Sequence, residues 1–143
     1  MNKIVVDANI IFSILISVKW NTRKVFLSLI KERVEVYAPE FLKSEILKYL
    51  NKLFLKRKDS YSVFIEDLFQ LLGLINITSE DFYYSQKEKL ITQMQNLDIK
   101  DLDYVALAYK LKAPLWTNDK KLKKVKWIEV INTEDLLIGK NLI

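Results

Sequence analysis

Apolar residues along this chain follow two rhythms. Short β-type runs occur at Lys3–Val6 (KIVV), Val34–Ala38 (VEVYA), Ile75–Thr78, Leu115–Thr117 (LWT) and Trp127–Ile131 (WIEVI). Between them, apolar residues recur every three to four positions, the spacing of a helix with one buried face. The first such stripe starts at Asn9 and holds Ile10, Ile11, Ile14, Leu15 and Val18. Asn21 and Thr22 are suited to cap a second helix carrying Val25, Phe26, Leu29 and Ile30. Pro39 suits the first turn of a third, with Leu42, Ile46, Tyr49, Leu50 and Leu53 on one face. Ser60 begins a fourth, with Phe64, Ile65, Leu68, Leu71 and Leu72, which stops near Gly73. Ser79, Glu80 and Asp81 open a weaker helix toward Met94. Asp98–Asp103 leads into a helix starting near Leu102, with Val105, Ala106 and Tyr109 on its buried side. Thr133-Glu-Asp opens a short last one.

Strands separated by helical stretches predict parallel βαβ units and a sheet covered on both faces. The length, 143 residues, predicts one domain spanning 1–143. Ligands of such sheets bind beyond the carboxyl ends of the strands.

Composition narrows the chemistry. The chain has no Cys and no His, which excludes disulfides, thiolate or imidazole zinc sites and Ser-His-Asp triads. With two Gly and two Pro it has no glycine-rich phosphate loop. Catalysis would fall to carboxylates, Lys, hydroxyls or an oxygen-bound metal. The net charge of +5 suits a polyanionic partner. The apolar run Ile10 to Ile16 is far shorter than the ~20 residues of a membrane span, so an intracellular, cytoplasmic protein is expected.

Four acidic residues gain meaning from this frame. Asp7 follows the first strand, Asp119 lies just beyond Leu115–Thr117, and Asp101 opens the helix leading into that strand. Glu45 lies on or beside the apolar stripe of its helix, where an unpaired carboxylate is costly. Converging at one sheet end, the four would form a site for a hard cation such as Mg²⁺ or Mn²⁺. Each also has a plain structural reading. Asp7 can be a helix cap, and Asp101, flanked by Asp98 and Asp103, another. Asp119 can belong to an Asx turn, and Glu45 can pair with a Lys. Requiring all four at once weakens those readings.

Three segments in order, VDANIIFS (Val6–Ser13), PEFLKSEI (Pro39–Ile46) and DLDYVALAYKLKAPLWTND (Asp101–Asp119), resemble the motifs of PIN domains. These are metal-dependent ribonucleases that include the toxin halves of many prokaryotic toxin–antitoxin pairs. The resemblance implies a three-layer α/β/α sandwich whose five-stranded parallel sheet has the order 3-2-1-4-5. It implies that Asp7, Glu45, Asp101 and Asp119 are catalytic and bind one or two Mg²⁺ or Mn²⁺ ions. Asp98 and Asp103 are adjacent alternatives to Asp101. It further implies that Asn9, Ser13, Thr117 and Asn118 orient the carboxylates. The implied activity is hydrolysis of single-stranded or looped RNA, with an antitoxin protein as partner.

Two basic clusters fit as grips on a nucleic-acid backbone: Lys52, Lys56, Arg57 and Lys58, and Lys120, Lys121, Lys123, Lys124 and Lys126. The alternative for each is a solvated face. Trp20 and Trp116 read as core residues. The third and fourth helices, joined by the first basic cluster, offer a homodimer face. A PIN-like RNA- or protein-binding module without turnover is the competing function. An aspartyl-phosphate enzyme would want Asp-x-Asp after the first strand, and Asn9 stands at the third position.

Overall fold

Lys3–Val6 (β1) lies at the centre of the sheet, and Ile4, Val5 and Val6 are fully buried. The computed structural model describes residues 1–16, 20–93 and 98–142. After β1 come α1 (Ala8–Ile16), α2 (Trp20–Lys31), β2 (Glu35–Pro39), α3 (Phe41–Leu55) and α4 (Tyr61–Gly73). Then follow β3 (Asn76–Thr78), α5 (Glu80–Ile91), α6 (Ile99–Leu111) and β4 (Leu115–Trp116). A 3-10 turn (Lys120–Lys124), β5 (Val130–Ile131) and α7 (Thr133–Gly139) complete the chain.

The strands pair in parallel in the order β3-β2-β1-β4-β5, as the sequence motifs imply. That order and the right-handed rule for parallel crossovers produce the layers. From β1 through β2 to β3 the chain steps one way across the sheet, so α1 to α4 share a face. From β3 to β4 it steps back, so α5 and α6 cover the other face. In agreement, α1 contacts α2, α3 and α4, whereas α6 lies on β1, β2 and β4 with α5 packed against it.

Several boundaries differ from the sequence expectation for identifiable reasons. Pro39 is the last residue of β2, not a helix residue; Glu40 occupies the cap of α3. Asn21 and Thr22 lie inside α2, which begins at Trp20, and Thr22 is buried. Trp20 is 69% exposed, against its expected place in the core, while Trp116 is fully buried. Helix α6 starts at Ile99, because the Asp98 side chain accepts a hydrogen bond from Lys100 N. Ser60 caps α4 as expected, accepting from Val63 N. Val18 and Met94, expected near helix ends, lie outside the described residues. No helix among the described residues is long and apolar enough to cross a membrane.

Candidate metal and nucleic-acid site

The ends of β1 and β4 are tied together where the acidic residues emerge. The Asp7 N–H donates to the carbonyl of Trp116 across the sheet (3.0 Å). One residue further on, the Thr117 hydroxyl donates to Asp7 Oδ2 (2.7 Å) and accepts from Asp119 N (3.1 Å). Asn9 Nδ2 donates to both Asp7 Oδ2 and Thr117 Oγ1, each at 3.2 Å. Asp7 Oδ1 accepts from Ala8 N (2.7 Å), so Asp7 also stabilises the first turn of α1. Asp7 thus holds the start of α1 with one oxygen while its side chain also lines the cavity beyond the strand ends.

Glu45 reaches this place from α3. It is half-buried, and Tyr104 of α6 donates its hydroxyl to Glu45 Oε1 (2.5 Å). Asp119 Oδ1 accepts from Lys121 N, the Asx-type cap that starts the 3-10 turn. Asp101 comes from the first turn of α6. All four carboxylates line one cavity of about 450 Å³, together with Asn9, Asp98, Lys52, Lys56, Lys100 and Lys121.

The surroundings disfavour charge on Asp7, Glu45 and Asp101. Burial, joined by the nearby charges of Asp7, Asp119, Asp98 and Glu45, raises the Asp101 pKa to about 7. Burial is also the main force raising Asp7, opposed by the hydrogen bonds from Thr117 and Ala8. Glu45 is raised chiefly by burial, partly offset by the Tyr104 hydroxyl. The Tyr104 hydroxyl is itself held far above its ordinary range, first by burial and then by Glu45.

The donor set suits a hard divalent ion: carboxylate oxygens facing a shared space, with no Cys or His in the chain. A second observation agrees. Asn9 Oδ1 is buried with no hydrogen-bond partner, leaving an acceptor free beside Asp7. Among the described residues, no three carboxylates already form a closed metal-holding group.

Other expected site residues fall elsewhere. Asn118 uses its Oδ1 to accept from Thr133 N at the start of α7, which ties it to that helix. Ser13 is half-buried on α1 and makes no hydrogen bond to any of the four acids. Asp103 points away from the cavity; it is buried and holds Tyr83 Oη (2.6 Å) and Lys87 Nζ (3.1 Å).

Arg57 is not a surface grip. It pairs with Asp59 and with Asp67 (2.5 Å), donates to the Leu15 carbonyl (3.0 Å) and lies over the Phe64 ring. It fastens the α3–α4 turn to the end of α1. Lys123 pairs with Asp135 (3.2 Å), while Lys120 and Lys124 are exposed outside the cavity wall. Sequence reasoning missed Tyr104, although its place three residues after Asp101 puts both on one helix face. It also missed Lys100.

The PIN domain family model matches residues 5–136. No curated protein matches the sequence. Among solved structures, PAE2754 from Pyrobaculum aerophilum is similar with a TM-score of 0.69 and 17% identity, over 99% of this chain and 90% of that one. VapBC2 from Rickettsia felis, bound to a DNA fragment from its promoter, is similar with a TM-score of 0.68 and 16% identity, over 91% and 98% of the two chains. A toxin–antitoxin complex from Klebsiella pneumoniae gives 0.64 and 16%, over 90% and 96%.

Proposed function

Because the chain belongs to the PIN-domain family, we propose that it is a divalent-metal-dependent endoribonuclease, the toxin of a toxin–antitoxin pair. The observation that carries this reading is the convergence of Asp7, Glu45, Asp101 and Asp119 on one cavity beyond the ends of β1 and β4. These four carboxylates hold Mg²⁺ or Mn²⁺. When bound, the ion lowers the pKa of water and offsets charge on the phosphate undergoing hydrolysis. Thr117 and Asn9 fix the rotamer of Asp7, and Tyr104 fixes Glu45. Lys52, Lys56, Lys100 and Lys121 at the cavity wall bind the backbone of a single-stranded or looped RNA. Likeness to the toxin–antitoxin complex from Klebsiella pneumoniae supports an antitoxin protein as partner.

The test is cleavage of an end-labelled single-stranded RNA with Mg²⁺ or Mn²⁺, with excess chelator, and with Asp7→Asn. Cleavage only by the metal-loaded wild type is expected. Equal cleavage in chelator would defeat the metal assignment. Tight RNA binding without turnover in either metal would favour a binding module instead.

A further inference from the structure

The cavity that holds the carboxylates has a second half of different character. Phe12 and Ile16 of α1 and Tyr49 and Leu53 of α3 form an apolar wall. Phe12 and Tyr49 meet edge to face, with ring centroids 5.8 Å apart at 69°. Neither ring is buried in the core; both are part-exposed to the cavity. Lys52 and Lys56, exposed on α3, border this wall, and Lys48 Nζ stands 5.4 Å from the Tyr49 ring centre. None of these lysines appears in an ion pair among the described residues.

Phosphate chemistry at the acidic end does not need such a wall. A ligand with alternating anionic and flat apolar parts does. Unpaired nucleobases stack on aromatic side chains while basic residues track the strand's phosphates. We propose that Phe12, Tyr49, Ile16 and Leu53 form a subsite for one unpaired nucleobase of the RNA. Lys52 and Lys56 hold the phosphate next to that base. The inference rests on the nuclease reading above and narrows it, since a base in this subsite has left any duplex.

The occupant is chosen by charge complementarity. Basic side chains border the apolar wall on α3, and the same cavity takes a polyanion at its other end. A paired helix cannot offer a base face to a wall set beside the carboxylates, so structured duplex RNA is excluded from the productive position.

Binding separates the outcomes. Asp101→Asn, which blocks turnover, serves as the background protein, in Mg²⁺. Two probes of equal length are titrated by fluorescence anisotropy: a single-stranded RNA and an abasic sugar–phosphate strand. The RNA is expected to bind about tenfold or more tighter than the abasic strand. Phe12→Leu keeps apolar volume but removes the ring. It should erase most of that preference while leaving abasic binding unchanged, and Tyr49→Leu should do the same. The double variant Lys52→Ala/Lys56→Ala should weaken both probes and lower the salt dependence of binding by about two phosphate contacts.

Equal affinity of the background protein for both probes overturns the subsite. So does an unchanged RNA preference in Phe12→Leu and Tyr49→Leu, including the case where those variants weaken only an apolar peptide. Metal-dependent RNA cleavage by the wild type together with equal binding of RNA and abasic strand would sink the subsite and leave the nuclease standing. A preference for RNA over the abasic strand without metal-dependent cleavage would do the reverse.

Discussion

Asp101 and Asp103 stand two residues apart on α6, both withdrawn from water, and they meet opposite company. Asp103 faces the α5 side, where Tyr83 and Lys87 hold its carboxylate and Glu80 shares the same lysine at 2.9 Å. Asp101 faces the cavity, where the charges that shift it are other carboxylates and no protein hydrogen bond reaches its oxygens among the described residues. The first arrangement is complete: each buried charge has its counterpart within the chain. In the second, no lysine of the cavity wall forms an ion pair with Asp101 among the described residues, and burial together with the neighbouring carboxylates raises its pKa. Helix geometry separates the two, since residues two apart point about 200° away from each other.

The largest expected effect breaks or keeps this contrast directly. Asp101→Asn should lower metal-dependent RNA cleavage at least ~100-fold, the scale of a lost electrostatic contact at a reacting phosphate. Asp103→Asn should stay within a few-fold in cleavage but lose about 2 kcal/mol in urea unfolding, because the charge paired with Lys87 is lost and one acceptor oxygen becomes an NH2 facing a donor. A dead Asp103 variant beside an active Asp101 variant would reverse the roles.

A second measurement uses pH. The folded protein binds the Asp101 proton more tightly than the unfolded chain does, its pKa rising from 3.8 to about 7. Deprotonation therefore costs the metal-free fold stability, a cost that grows as pH climbs from about 4 and is complete above about 7. In chelator, the melting temperature should fall between about pH 5 and pH 7.5. Asp101→Asn should flatten that fall; Asp103→Asn should not. A profile identical in wild type and Asp101→Asn would show that Asp101 carries no such strain.

The smallest effect tests the link between the two carboxylate-bearing helices. Tyr104→Phe removes only the hydroxyl that holds Glu45. Cleavage should drop a few-fold, and Mn²⁺ affinity measured by calorimetry should weaken, with a stability change near 1 kcal/mol. Unchanged Mn²⁺ affinity would mean Glu45 is positioned by other means.

Much of this was legible in the chain itself. Asp7 and Asp119 follow apolar runs of strand type, and Glu45 interrupts an apolar stripe, so local pattern alone marks them. Residues whose role depends on distant partners were not legible. Arg57 reads as one of a run of basic residues until Asp67 and the Leu15 carbonyl are seen beside it. Asn118 sits in a site motif but serves the N-terminus of α7. Helix α6 offered a misleading stripe. Leu102 to Ala108 are all buried, because the helix is wedged between the sheet and α5, so the apolar pattern alone did not single out Tyr104. Trp20, large and apolar, was expected inside and lies on the surface.

The Thr117–Asp7 hydrogen bond joins residues 110 apart in the chain. The central strand is thus made well before the neighbour that completes its acidic end. No shorter nascent chain holds Asp7, Thr117 and Asp119 together, however well β1, β2 and β3 have already paired. Non-local pairing of this kind also slows folding. The acidic end therefore assembles only after the stretch of chain that separates Asp7 from Thr117 has been made, so its geometry reports on completion of the β1–β4 pairing rather than on any local segment.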